Sequence, residues 1–228
     1  MLKWEGLECV VPSFYSVIIL KNSGLIELKL YKIVQNLELE MLRIFPYDTE
    51  GVDQAIADFE DEFTIKFPEK YKEFLLKYNG GNSLQTSFSI NRKTSDIRAF
   101  YGFNKASQYN NFQYLIDSGF LEEVLERGFI PIAKDSFGNS ILLGVTDKNF
   151  NQLAFFEHEG QIVQPLEINF EDWVAKIKSK KKKIRTIEER IADMRAVGSK
   201  KEITPRLKEI WQEEIDKYAG REQVIVRL

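Results

Sequence analysis

The chain has 228 residues, 43% hydrophobic and 13% aromatic, enough to bury a sizeable core. Its single cysteine, Cys9, excludes an internal disulfide and any cysteine-based metal site, and is expected to be a reduced, buried strand residue. The formal net charge of −3 hides an asymmetry: residues 50–178 carry 20 acidic and 13 basic side chains, residues 179–228 carry 9 and 14, and residues 1–49 carry 6 and 5.

The most apolar run, Val17–Leu20, is strand-sized, far short of the roughly 18 residues that a membrane-spanning helix requires. Glu5 and Glu8 interrupt any apolar leader, so no signal peptide and a cytoplasmic location are expected.

Residues 1–49 read as a β-rich leader: Cys9–Val11, Tyr15–Leu20, a turn at Asn22–Gly24, and Leu25–Val34 with alternation at Leu28 and Leu30. A β-hairpin around the turn is the predicted outcome. A helix follows from Val52 to Phe63, with Ile56, Phe59 and Phe63 on one face. Thr64–Phe67 is expected to be extended, because the residue before a proline is pushed out of the α region. Pro68 suits the first turn of a second helix, Glu69 adds negative charge at its positive end, and the helix buries Tyr71, Phe74, Leu75 and Tyr78. Asn79-Gly80-Gly81 can take positive φ and stops it.

Beyond that stop, Phe88–Ile90 and Ile97–Phe103 read as strands, and Asn111–Ile116 and Phe120–Leu125 as short helical segments. Ile130–Ala133 and Ser140–Val145 form a predicted hairpin, followed by strands at Gln152–Glu157 and Gln161–Val163. Asn169–Ile177 is a helix with Phe170, Trp173, Val174 and Ile177 on one face. The run Lys178–Lys183 reads as a solvated hinge at that helix's C-terminus. Two further helices are expected, Thr186–Ala196 and Thr204–Tyr218, separated at Gly198. The second carries Leu207, Ile210, Trp211, Ile215 and Tyr218 on a face that needs a surface to cover. Gln223–Arg227 reads as a final strand that could pair with the leader.

Hairpin connections and flanking helices imply an α+β class: a mainly antiparallel, twisted sheet flanked by helices, with an N-terminal β-hairpin and a C-terminal helical extension. Three regions follow: a leader at 1–49, a central domain at 50–178 and a basic helical extension at 179–228.

The sequence lacks the usual catalytic constellations. His158 is the only histidine, and neither a second His nor a usable Cys accompanies Glu157 and Glu159, so no metal site is expected. There is no Gly-x-Ser-x-Gly elbow and no phosphate-cradling glycine loop. No enzymatic activity and no cofactor are expected. The carboxylate clusters Glu60-Asp61-Glu62, Glu122-Glu123 and Glu171-Asp172 are simplest as solvated helix surface.

Four elements occur in order: Phe67-Pro68-x-x-Tyr71 ending in Asn79-Gly80-Gly81, Ile130-Pro-Ile-Ala133, Asp135-x-Phe137-Gly138-Asn139, and a hydrophobic strand entering Phe156-x-His158-Glu159. Together they resemble the SUKH superfamily, over roughly residues 50–178. That superfamily includes fungal cell-wall regulators of the Smi/Knr type and bacterial immunity proteins that neutralise polymorphic toxins.

The resemblance implies a non-catalytic immunity protein that occludes the active site of a cognate toxin, a nuclease or deaminase. Candidate partner contacts, chosen for loop and strand-end positions, are Asp96, Tyr101, Asp135, Phe137, Asp147, Glu157 and Glu159. Tyr71, Trp173, Gly80 and Gly138 read as structural. The alternative is a regulatory or scaffolding module, with nucleic acid bound through Lys180, Lys181, Lys182 and Lys183.

Overall fold

The computed structural model describes residues 41–228, and the first described strand, β1 (Arg43–Pro46), enters a sheet whose two faces are covered very differently. Cys9 and the predicted strands and hairpin of residues 9–34 lie outside the described residues.

Two helices follow β1. In α1 (Val52–Glu62), Val52, Ile56 and Phe59 are buried, as the three- and four-residue spacing requires. In α2 (Glu69–Tyr78) the buried face is Tyr71, Phe74, Leu75 and Tyr78. Thr64 departs from the predicted extended segment: it takes φ +52°, and the next amide, Ile65 N–H, donates to Glu60 O at 3.0 Å. Pro68 is the N-cap residue rather than a first-turn residue, with ψ 140°, and its carbonyl accepts the Lys72 amide at 3.0 Å.

The Asn79-Gly80-Gly81 stop does more than end α2. Asn79 is buried in a left-handed conformation, and its amide group ties two loops together: Nδ2 donates to Asp48 O at 2.6 Å and to Phe103 O at 2.9 Å, while Oδ1 accepts Phe103 N–H at 2.7 Å. Gly80 has φ +72°, and a Cβ there would fall 2.4 Å from Tyr101 O, so both conformation and space demand glycine.

The strands β2 (Gly81–Ser83), β3 (Thr86–Ile90), β4 (Lys93–Ser95) and β5 (Ala99–Phe100) follow. The predicted strand Ile97–Phe103 shrinks to β5, because the chain turns inward at Gly102 against Asn79. The helices α3 (Phe112–Asp117) and α4 (Phe120–Leu125) precede a meander of β6 (Phe129–Lys134), β7 (Ser140–Gly144), β8 (Gln152–Glu157) and β9 (Ile162–Asn169). Then come α5 (Phe170–Lys176) and β10 (Lys178–Ser179), and in the extension α6 (Ile187–Ala196), α7 (Pro205–Tyr218) and β11 (Val224–Ile225).

The main sheet runs β11-β1-β2-β5-β6-β7-β8-β9, each pair antiparallel, and β10-β3-β4 makes a small second sheet. This is the expected α+β architecture. The last strand pairs with residues of the leader, Ile225 opposite Arg43 and Val224 opposite Ile44.

One face of the main sheet lies under α1, α2 and α5. Trp173 stands at its centre, with Phe100, Phe88 and Phe170 ring centroids at 5.7, 5.9 and 6.2 Å. Burying each such ring stabilises the fold by about 1.5–3 kcal/mol.

The other face is covered in two pieces. Val124 of α4 packs on Leu142, Ala154 and Phe156, while Tyr218 of α7 packs on Phe45 and Leu84. The predicted apolar face of α7 therefore docks mainly through its C-terminal end. Tyr218 is buried, Leu207, Trp211 and Ile215 are half-buried, and Ile210 stays exposed.

Candidate partner-binding surface

The β6–β7 hairpin tip owes its shape to Asp135. Its carboxylate accepts the amides of Phe137 at 2.8 Å and Asn139 at 2.9 Å, the Asn139 side-chain amide at 2.8 Å and the Ser95 hydroxyl at 2.7 Å. This is the turn chemistry of an aspartate that binds its own backbone two residues on. Gly138 supplies the φ of +86° that the turn needs.

Held this way, Phe137 projects from the tip with 78% of its surface exposed. Ser136 is fixed from the other side: its amide donates to Asp96 Oδ1 at 3.0 Å and its hydroxyl to Asp96 Oδ2. The β8–β9 turn lies alongside, with His158 N–H donating to Asn139 Oδ1 at 3.1 Å. Glu157 pairs with Lys93 of β4, and Glu159 is exposed in the same turn.

Asp96, Asp135, Phe137, Glu157 and Glu159 thus share one end of the sheet. They do not share one role. Asp135 is 5% exposed and its oxygens are committed to the turn, so it braces the tip instead of presenting charge. Asp96 and Glu157 are half-buried and engaged by Ser136 and Lys93. The outward-facing groups are Phe137 and Glu159.

Two candidates lie elsewhere. Tyr101 is 5% exposed, and burial outweighs its Ser140 hydrogen bond to push its phenol up to about 12. It is a core residue and not an exposed one, because the chain directly after β5 carries it under the Lys134 side chain, whose ammonium is 5.8 Å from the ring centroid. Asp147 sits in the β7–β8 loop at the opposite end, beside Phe150 and a shallow depression of ≈ 470 Å³ that Glu60, Thr64 and Lys66 also line.

Glu60 is a buried charge beneath that depression. Its carboxylate accepts Phe67 N–H at 2.7 Å and pairs with Lys72 at 3.0 Å and Lys66 at 3.6 Å. Burial alone would raise its carboxyl, but the Phe67 amide and the lysines outweigh it and hold the group below the ordinary glutamate value.

The lysine run is not the solvated hinge that was expected. Lys178 and Ser179 form β10 against Ser87 and Thr86, with Ser179 buried, because the register of β3 captures the chain directly after Ile177. Lys180 N–H donates to Gln85 O at 3.2 Å. Lys182 pairs with Glu214 at 2.9 Å and Lys183 with Glu189, while Lys181 is exposed. Much of the extension's positive charge is matched by its own acids.

Sequence reasoning missed Lys93, Ser95 and Asn139, which knit this end together. Asn139 was legible, since Asp-x-x-x-Asn across a Gly turn implies mutual hydrogen bonding. Lys93 and Ser95 were not, because their partners are distant in sequence. Among the described residues no three His, Cys, Asp or Glu side chains converge as metal ligands, and no described helix is long and apolar enough to cross a membrane.

An antiparallel sheet with three helices on one face and polar hairpin tips at one end defines an α+β domain. The sequence profile of the SMI1 / KNR4 family (SUKH-1) matches residues 52–176, more than half of the chain. The protein belongs to this family. A comparison with curated proteins finds no match.

Proposed function

We propose that the protein is a non-catalytic immunity protein that binds a cognate toxin, a nuclease or deaminase, in the cytoplasm and occludes its active site. The observation that carries the reading is Phe137: a fully projecting aromatic on a tip whose backbone is braced by the Asp135 carboxylate. Association then orders little that is not already ordered, and aromatic anchors of this kind dominate binding energy. Glu159 lies beside it to meet a cationic substrate cleft, with Asp96 and Glu157 lending field from the second rank. Membership of a family that includes immunity proteins supports the same reading.

The test is affinity capture of partners on the immobilised chain, followed by co-expression. A captured protein that poisons cells alone, and is neutralised by the intact chain but far less by Phe137→Ala, is the expected result. Neutralisation unaffected by Phe137→Ala together with Glu159→Gln would move the contact away from this end of the sheet.

A further inference from the structure

Between the two pieces that cover the second face lies a patch of cations that have no carboxylate ion-pair partner among the described residues. Arg98, the residue before β5, and Lys134 of β6 are neighbours: Arg98 N–H donates to Lys134 O at 2.8 Å. Lys217 and Arg221 come from the end of α7 and the turn after it. Phe45, Asn82, Ala99 and Lys134 stand in one row across β1, β2, β5 and β6, and the Tyr218 ring packs 4.5 Å from Phe45, which brings the end of α7, with Lys217 and Arg221, over the row that holds Lys134. Lys217 is then repelled by Arg98, Arg221 and Lys134.

Three of the four cations are positioned by something other than an acid. Lys134 Nζ donates to Tyr109 O at 2.6 Å. Arg221 donates to Phe45 O at 2.9 Å and Pro46 O at 3.0 Å, and lies 5.6 to 5.9 Å from the Phe45, Tyr47 and Tyr218 rings. Lys217 lies 5.6 Å from the Tyr218 ring. The nearby acid, Glu214, is already engaged by Lys182 and Arg190, both at 2.9 Å. Burial first, then the like charges around them, pull both Lys134 and Lys217 below the ordinary lysine value. Such an arrangement costs the free protein and is relieved by an anion.

The rim is aromatic. Tyr109 is 61% and Tyr114 42% exposed, and their rings meet edge to face at 5.5 Å. We infer that the patch formed by Arg98, Lys134, Lys217 and Arg221, with Tyr109 and Tyr114 at its rim, binds a short acidic segment of a protein partner.

Size and surroundings select a short segment over a nucleic acid. Four cations suit a few carboxylates, whereas a long polyanion would run onto a protein of net charge −3 whose residues 50–178 hold 20 acids against 13 bases. The inference goes beyond toxin inhibition: the patch adjoins the sheet end that carries Phe137, with Lys134 next to Asp135, but it takes the opposite charge of partner and draws Lys217 and Arg221 from outside the family match.

The experiment is fluorescence anisotropy with a labelled oligo-glutamate peptide and a labelled single-stranded DNA of equal charge, on the intact chain. Three variants are compared: Lys134→Gln with Lys217→Gln, the exposed Arg98→Gln alone, and a control of equal charge loss, Lys200→Gln with Lys201→Gln. The peptide is expected to bind, with affinity falling about tenfold in the double variant and severalfold in Arg98→Gln but little in the control, as loss of localised charge pairs predicts. Arg98→Gln removes no buried side chain, so it decides the matter if the double variant melts early. Failure of the intact chain to bind the peptide, equal losses in patch and control variants, or tighter binding of the DNA with the same variant dependence would each overturn the assignment.

Discussion

The two faces of the main sheet contrast in chemistry as much as in cover. Under α1, α2 and α5 a chain of aromatic contacts runs through one continuous apolar core: Phe74 stands 5.1 Å from Phe100, Tyr71 5.1 Å from Phe170, and Phe59 5.1 Å from Phe112. On the other face two small apolar clusters flank a polar centre. There Asn110 Nδ2 donates to Tyr47 Oη at 2.7 Å and Asn82 Oδ1 at 3.3 Å, with the cationic patch adjoining. A continuous apolar face stabilises the fold and tolerates little change. An interrupted one leaves room for surface chemistry, and here part of its cover, α7, lies outside the family match.

The contrast is broken most severely from the aromatic side. Trp173→Ala leaves a large cavity among Phe88, Phe100 and Phe170 and is expected to cost about 3–5 kcal/mol in urea-monitored unfolding. Asn79→Ala removes three hydrogen bonds to backbone, two of them buried at Phe103, and is expected to cost about 2–3 kcal/mol in the same measurement.

Glu60→Gln sharpens the comparison through pH. Because the folded-state carboxyl lies below its unfolded value of roughly 4.3, its charge stabilises the protein above that pH, and the contribution fades as pH falls through the folded value. The variant is therefore expected to be about 1–2 kcal/mol less stable at neutral pH, with the deficit closing in acid, as denaturation curves at several pH values would register. At the sheet end the effect on stability vanishes: Phe137→Ala should shift unfolding by less than about 0.5 kcal/mol while weakening partner capture, since the ring packs against little of its own chain.

How much of this was legible depends on whether a partner is near in sequence. The apolar faces of α1, α2 and α5 follow from local spacing, and so do the Asn79 stop, the Gly138 turn and the strand Gln152–Glu157. Asp135 was legible as a turn residue, but its commitment to Ser95 and its burial were not, because free and self-bonded aspartates look alike until the turn closes. Tyr101 was misjudged because a strand residue's face depends on register, and the chain's inward turn at Gly102 shortened the strand around it.

By itself the sequence determined the class, the helix faces, the turns and the family, since these rest on periodicity and on residues with restricted backbone preferences. Tertiary structure alone decided which acids face outward, that the lysine run is captured by β10 and paired with its own helices, and that Arg98, Lys134, Lys217 and Arg221 meet. Charge interactions act through space, so residues separated by more than 100 positions, such as Arg98 and Lys217, become neighbours only when the last helix docks against the middle strands of the sheet.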